Sequence, residues 1–246
     1  MTDVVLGMGE VGSTLFDLLE QREISCVGID TDKSKCKNYS EDNLMEAEFL
    51  HVCIPGEIEN FDEIARDWTN KITGLKAIII HSTVRPGTTK KVQEKLDLPV
   101  IFSPVRGVHR RFLQDVKRYS KFLSSDVKLA DEIKSEIEKR FEKTQWMSST
   151  KTAELAKILV DTTYYGWLIN YAQITKIICD EEKVDFDEMW KFADEIHENL
   201  GNRPKMYPGI IGGHCVIPNL ALINNDKLDM IKKINELFEK YTDSKV

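Results

Sequence analysis

At 246 residues the chain is long enough for one large domain or two modest ones, with ample length for a core. Its 41% hydrophobic and 30% charged residues are the composition of a globular protein and exclude a disordered one. The net charge of -7, with both signs interspersed, leaves no nucleic-acid footprint, and no apolar run approaches the roughly 20 residues of a membrane helix.

The N-terminus "MTDVVLGMGEVG" runs straight into a strand pattern, which leaves no span for a signal peptide. Cys26, Cys36, Cys53, Cys179 and Cys215 are odd in number and form no C-x-x-C pair. That pattern suits reduced thiols in a cytoplasm better than a disulfide framework or a metal site, so a cytoplasmic protein with no metal is expected. Cys26 and Cys53 lie in apolar strand-like runs, where small buried thiols are common.

The first element, "TDVVLGMGEVGSTLFDLLEQ", is a short apolar strand, then Gly7-x-Gly9-x-x-Gly12, then an amphipathic helix burying Leu15, Leu18 and Leu19. Gly7 would make the tight turn, Gly9 would let the backbone approach a pyrophosphate, and Gly12 would let helix and strand pack closely. Met8, Glu10 and Val11 belong to the same cofactor-binding stretch, where the helix N-terminus offers amide donors to phosphate. A second strand, "ISCVGID", ends at Asp30, placed to bind the adenosine ribose hydroxyls and to favour NAD. Lys33 and Lys35 keep NADP open, since a base there could accept a 2′-phosphate.

Three more strands follow: "AEFLHVCIPG" stopping at Pro55, "ITGLKAIIIHSTVRPGTT" stopping at His81-Ser82-Thr83, and "LPVIFSPV" ending near Pro104. Open parallel sheets place ligands at such strand ends, which makes Cys53, Ile54, Pro55, Ser82 and Thr83 candidate cofactor contacts. Helices are predicted between them in "EIENFDEIARDW" and "KLADEIKSEIEKRFEK". The basic run "VRGVHRRF", with Arg106, His109, Arg110 and Arg111, could meet phosphates or carboxylates, or form a solvated loop or an inter-subunit patch.

From Lys151 to Glu182 the sequence has helical periodicity and no proline, with Ala153, Ala156, Val160, Tyr164, Trp167, Tyr171, Ile174 and Ile178 on one stripe. Leu155, Leu159 and Leu168 give a second apolar face; a helix apolar on two sides fits a dimer interface or a monomer's core. Gly166 in its middle points to close packing. Lys157 and Asp161, four apart, would share a face, and spacing alone makes them an ordinary surface ion pair. Helices are also predicted in "DFDEMWKFADEIHENL" and "NNDKLDMIKKINELFEKY". Between them "YPGIIGGHCVIPN" is a tight glycine loop around Cys215. With no disulfide or zinc partner nearby, it suits a nucleophile presented to a substrate.

Taken in order, "GMGEVG", "GIDTD", "VCIP", "STVRPGTT", Ser103-Pro104, "AELAK" with Asn170 downstream, and "GGHC" resemble the nucleotide-sugar 6-dehydrogenases (UDP-glucose, UDP-N-acetylmannosamine and GDP-mannose dehydrogenases). The histidine in the cysteine loop is most similar to the N-acetylhexosamine members. The resemblance implies an α/β fold, a Rossmann-like parallel sheet followed by a long-helix all-α domain. It divides the chain into an NAD-binding domain, 1–148, and a helical central or dimerisation domain, 149–246. It also implies a homodimer through the long helix and a four-electron oxidation of a sugar primary alcohol to a carboxylate with two NAD. Cys215 would attack the intermediate aldehyde, Lys157 would stabilise oxyanion charge at the reacting carbon, and Thr83 would help hold the water. Arg106, Lys157, Asn170, Gly213 and His214 would contact the substrate.

Three positions depart from that pattern. Val105 stands where the resemblance implies a hydrolytic glutamate, Asn219 where it implies an assisting aspartate, and Asp161 where it implies an asparagine. Family members continue into a second α/β domain that closes over the nucleotide, whereas this sequence stops at Val246. A partner subunit in that role, a smaller substrate, or lost activity would each fit. Two other functions therefore stay open: an NAD(P)-dependent dehydrogenase or reductase of a small hydroxy acid using the helical lysine, and a non-catalytic NAD-binding paralogue.

Overall fold

The computed structural model describes residues 2–40, 47–107, 111–202, 204, 206–213 and 215–244. They divide into two compact units, Met1–Lys157 and Ile158–Val246.

In the first unit β1 (Thr2–Leu6) leads through the glycine loop into α1 (Glu10–Gln21) and β2 (Ser25–Ile29). β3 (Ala47–Val52), α2 (Phe61–Lys71), β4 (Ala77–Ile80), α3 (Thr88–Gln93) and β5 (Val100–Phe102) follow. The unit is completed by α4 (Phe112–Arg118), β6 (Lys121–Ser124), α5 (Asp131–Glu138), β7 (Thr144–Met147) and α6 (Thr150–Ala156). The strands of the described residues form one seven-stranded sheet in the order β2-β1-β3-β4-β5-β6-β7, parallel except between β5 and β6. The order reverses at β1, so the strand ends beside it form the crevice where such sheets take ligands.

The sheet is covered on both faces, which is why its strands are nearly unbroken apolar runs. Val4, Leu50, Val52, Ile78 and Ile80 pack on one face. Val5, Phe49, Ile79 and Ile101 pack on the other with Leu15, Phe16, Leu18 and Leu19 of α1. Strands β6 and β7 are absent from the sequence expectations: each has four residues, and β6 opens on a lysine. Helix α6 belongs to this unit because Ala153 enters its core and Glu154 bonds to the loop after β4.

A π-helical segment, Lys157–Thr163, starts on the last residue of the first unit and continues in the second as α7 (Tyr164–Glu182). That unit goes on with α8 (Phe186–Leu200), α9 (Val216–Ile223) and α10 (Asp229–Asp243). Asp185 caps α8 by accepting the Glu188 N–H at 2.7 Å, and Gly201 ends it in the left-handed conformation, φ 68°. A Cβ on Gly166 would lie 2.8 Å from the Val216 side chain and 3.3 Å from Ile231, so this glycine lets α7 pack closely on α9 and α10.

The π segment overturns the expected stripe. A π turn carries an extra residue, so the face defined by Ala153 does not continue at 3.6-residue spacing beyond it. Ala153 is buried, whereas Val160, Tyr164, Trp167, Tyr171 and Ile178 are exposed. The buried residues of α7 are Gly166, Asn170, Ala172, Gln173 and Cys179.

A polar chain crosses the α1-side face of the sheet. The Arg140 guanidinium holds both carboxylate oxygens of Asp3, at 2.6 and 2.8 Å. Asp3 lies 3.0 Å from His51 Nε2, His51 Nδ1 lies 2.9 Å from His81 Nε2, and His81 Nδ1 lies 2.9 Å from the Ser103 carbonyl. That carbonyl only accepts, so His81 Nδ1 carries a hydrogen and neutral His81 accepts from His51 at Nε2. The remaining proton sits between His51 and Asp3. Burial alone would raise the Asp3 carboxyl, but its bonds to Arg140 and His51 outweigh this and hold it below the ordinary value. His81 is pushed well below the usual histidine range by burial first, and then by the charges of Lys121 and His51.

The sign of the pH dependence follows. Below about pH 6.5 an unfolded His81 takes up a proton that the folded one refuses, so folding stability falls as pH drops through this window. Urea unfolding at intervals from pH 7 to 5 is expected to show stability falling more steeply in the wild type than in His81→Gln. The difference is at most one proton, about 1.4 kcal/mol per pH unit.

Candidate functional site

The glycine loop is built as the sequence indicates. Gly7 has φ 91°, donates its N–H to the Ile29 carbonyl at 2.7 Å, and would place a Cβ 2.9 Å from the Cys53 and Ile54 backbone. A Cβ on Gly12 would lie 1.8 Å from the Gly7 carbonyl oxygen, so α1 can start against the loop only with glycine there. A Cβ on Gly9 would meet nothing within 4 Å, and its φ of -69° suits any residue. The space over Gly9 at the head of α1 is therefore open, flanked by exposed Glu10 and half-buried Val11.

Asp30 faces this loop. One carboxylate oxygen accepts the Met8 N–H at 2.7 Å and the other accepts the Asp32 N–H at 2.9 Å. A carboxylate has about four acceptor positions, so capacity for ribose hydroxyls remains. Met8 takes part through its backbone, because its side chain is buried under Gly28. Lys35 is exposed, 3.8 Å from Asp32. The residues fit a dinucleotide with an unsubstituted ribose 2′-hydroxyl, namely NAD: an open phosphate position at a helix N-terminus and an acid at the end of β2.

Two strand ends complete the cradle. The Ser82 hydroxyl donates to the Ile54 carbonyl at 2.5 Å, joining Cys53-Ile54-Pro55 to Ser82-Thr83. Gly56 was missed in the sequence: a Cβ there would lie 1.9 Å from the Thr83 carbonyl oxygen, so these loops pass only because it is glycine. Burial pushes the Cys53 thiol up to about 12, which keeps it neutral.

Glu154, also missed, is fully buried and accepts from the Gly87 N–H at 2.5 Å, the Thr89 N–H at 2.9 Å and the Thr89 hydroxyl at 2.7 Å. It fixes the loop after β4, which carries Thr83, to α6, one turn before half-buried Lys157. Burial raises its carboxyl against these three donors. The "AELAK" motif contained the residue, but not its burial.

At the end of β5, Lys121 donates to the Ser103 carbonyl at 2.7 Å and the Pro104 carbonyl at 3.0 Å. Burial, with Lys157 and Arg106 adding positive charge against an opposing effect of Cys53, brings its amine down to about 7. Val105 is buried. The Arg106 guanidinium donates to the Ser120 carbonyl at 3.0 Å and lies over the Tyr119 and Phe122 rings, committed to its own neighbourhood. Arg111 pairs with Asp115 at 3.1 Å, while His109 and Arg110 lie outside the described residues.

In the second unit Cys215 is exposed and in no disulfide, immediately before the first residue of α9. Gly213 has φ 74° with open space around it, and His214 lies outside the described residues. The Gln173 amide donates to the Gly209 carbonyl at 2.8 Å and to Asn235 at 3.1 Å, and Asn235 accepts the Ile211 N–H at 2.7 Å. Two buried amides on α7 and α10 thus hold the start of the cysteine loop. Asn219 is buried, its N–H on the Cys215 carbonyl at 3.2 Å and its amide on the Thr162 hydroxyl at 3.1 Å. Asn170 is buried, with its amide on Gln173 at 2.7 Å, and Asp161 is exposed. Among the described residues no His, Cys, Asp and Glu cluster could hold a metal ion, and no helix is long and apolar enough to cross a membrane.

A sheet of this order with a glycine loop and an acid after β2 defines a dinucleotide-binding fold of the Rossmann class. Residues 4–52 match the TrkA-N domain. The chain is 25% identical over 253 residues to the UDP-N-acetyl-D-mannosamine dehydrogenase of Methanococcus maripaludis, covering 86% of this chain and 58% of that protein. It superposes on a UDP-D-ManNAc dehydrogenase from Pyrococcus horikoshii with a TM-score of 0.83 at 20% identity, over 99% of this chain and 70% of that one. A UDP-glucose dehydrogenase from Pyrobaculum islandicum gives 0.75 at 15% identity, over 98% and 68%. The chain thus resembles the nucleotide-sugar dehydrogenases in sequence and fold, and it spans 58% of the length of the curated relative.

The open position over Gly9 separates folding from binding. Gly9→Val is expected to keep the wild-type melting temperature while weakening NAD binding about tenfold or more, measured by calorimetric titration. Gly12→Ala is expected to lower the melting temperature itself.

Proposed function

We propose that this chain catalyses the NAD-dependent oxidation of the primary alcohol of a nucleotide sugar to a carboxylate, with Cys215 as nucleophile between two hydride transfers. The observation that carries this reading is Cys215 itself, an exposed thiol in a glycine loop at the head of a helix. The chain's curated relatives are named for UDP-N-acetyl-D-mannosamine, which makes UDP-N-acetylhexosamines the first substrates to test.

NAD, when bound, supplies the hydride acceptor. The chain's residues supply the rest. Cys215 adds to the aldehyde carbon to give a thiohemiacetal, and loss of hydride leaves an acyl thioester that water cleaves to acid and thiol. The Val216 and Ile217 amides open α9 without intrahelical partners and would face negative charge developing beside Cys215. Lys157 would stabilise the oxyanion at the reacting carbon as a cation, and Thr83 would orient water. Asn219, an uncharged amide bonded to Thr162, would position the Cys215 turn rather than transfer protons. The exposed Val160, Tyr164, Tyr171 and Ile178 would form the contact of a homodimer. The cytoplasm is the compartment that suits its thiols.

A second reading rests on Val105, which cannot serve a hydrolysis: a dehydrogenase of a small hydroxy acid that uses Lys157 and no thiol. NADH absorbance with a panel of UDP- and GDP-hexoses, and separately with small hydroxy acids, distinguishes the two. Turnover of a nucleotide sugar is expected, and Cys215→Ser is expected to abolish sustained turnover while leaving NAD binding intact. Turnover of hydroxy acids alone, unchanged in Cys215→Ser, would establish the second reading.

A further inference from the structure

Hydride transfer to a nicotinamide changes a charge as well as a bond: the ring of NAD is a cation, and the ring of NADH is neutral. A site can therefore tell the two apart by the charge it holds near that ring. Sheet order directs where the ring faces. With Asp30 for the adenosine ribose at the end of β2 and the open position over Gly9 for the phosphates beside β1, the nicotinamide half is left the strand ends that follow, β3, β4 and β5. Strand β6 runs antiparallel to β5, which brings its first residue, Lys121, to the same edge of the sheet.

We propose that Lys121 sets this chain's preference between oxidised and reduced cofactor: as an amine it admits the cationic ring of NAD, and as an ammonium it favours the neutral ring of NADH. Three features carry this. Lys121 is buried at that edge, its nitrogen held by the Ser103 carbonyl at 2.7 Å and the Pro104 carbonyl at 3.0 Å. An amine has two hydrogens for these acceptors and an ammonium three, so the side chain stays in place in either state. Among the described residues no carboxylate pairs with it; Arg106 and Lys157, the last residue of this unit, face it with positive charge instead. The Lys121 charge also reaches the Cys53 thiol at the end of β3, and the Cys53 Cβ lies 3.3 Å from where a Cβ on Gly12 would stand. The amine is thus within electrostatic reach of the cofactor loop.

The surrounding groups leave the change of charge to Lys121. Burial, with Lys157 and Arg106 adding positive charge against an opposing effect of Cys53, brings its amine down to about 7, so both states are populated near neutrality. The Cys53 thiol, pushed up to about 12, stays neutral. Burial lowers His51 of β3 and His81 after β4, so both rings are neutral near pH 7. Asp115 of α4 pairs with Arg111, and Glu136 and Glu138 of α5 bond to Lys76 and Trp146. Val105, Arg106, Tyr119 and Lys121 line a cavity of about 10 Å³, room for one water with which the buried amine can exchange its proton.

The sign follows from linkage. A cation bound near Lys121 opposes its protonation, so NAD binding expels the proton and NAD affinity falls as pH drops through about 7. The ring of NADH brings no charge, and its affinity stays level. NADH therefore competes with NAD more strongly as pH falls.

Like the proposed function, this charge selection depends on NAD binding, but it depends on no substrate. The test is calorimetric titration of the full chain with NAD and with NADH at pH 6, 7 and 8, in two buffers of different ionisation enthalpy to count protons. The ratio of the NAD to the NADH dissociation constant is expected to rise about five- to tenfold from pH 8 to pH 6. About half a proton is expected to leave per NAD bound at pH 7, and none per NADH. Lys121→Arg, a fixed cation, is expected to hold the ratio near its pH 6 value throughout, and Lys121→Met near its pH 8 value. A wild-type ratio that does not change with pH would overturn the inference without any variant. A pH dependence retained in Lys121→Arg, or an equal shift for NADH, would overturn it as well. If the chain binds neither cofactor, the proposed function falls and this inference with it; binding of both at a constant ratio removes the inference alone.

Discussion

In the first unit the start of α1 packs directly against the turn before it. Gly12 packs so tightly on the Gly7 carbonyl that a single added carbon would lie 1.8 Å from that oxygen. This contact aims the first amides of α1 at the open space over Gly9 and brings the Met8 N–H onto Asp30. It also sets the loop against the end of β3, where Gly7 meets the Cys53 and Ile54 backbone. Phosphate position, ribose acceptor and strand end are therefore consequences of one packing constraint. A larger residue at either glycine would disturb all three together.

The second organising element is polar. A sheet buried on both faces ordinarily carries apolar side chains, and burying charge without partners is costly. Here Arg140, Asp3, His51 and His81 satisfy one another in a chain that ends on the Ser103 carbonyl, which Lys121 approaches from the other side. Buried pairs of this kind are weak sources of stability but define geometry, because each partner accepts only one arrangement. What they define here is the end of β5, directly below Val105. The position of that strand end depends on a network that extends through the sheet to Asp3 on β1.

Legibility in the sequence followed the range of the interactions. The glycine loop, Asp30 and the paired strand ends could be read because each depends on a short stretch of chain and on a backbone requirement that glycine alone meets. Lys121, His51, His81 and Glu154 could not. A polar residue in a strand or helix reads as a solvated one until tertiary packing buries it. Strand β6 escaped for the same reason, since its buried lysine breaks the apolar pattern. The π segment at Lys157–Thr163 shifted the face of the long helix, so extrapolation from Ala153 assigned Val160 and Tyr164 to a stripe that the chain itself leaves exposed. Helix α9 was hidden by Pro218, which sits in its first turn, where a missing N–H costs nothing. Gln173 and Asn235, which hold the cysteine loop, carry no local signal at all.

A thiol that forms and releases an acyl intermediate commits the protein to oxidising each substrate molecule twice. The most direct measurement is therefore the ratio of NADH formed to nucleotide sugar consumed at completion, with the product identified by mass. A ratio of two with a carboxylate product is the expected result. A ratio of one with an aldehyde or ketone product would show that Cys215 forms no thioester and would contradict the proposed mechanism.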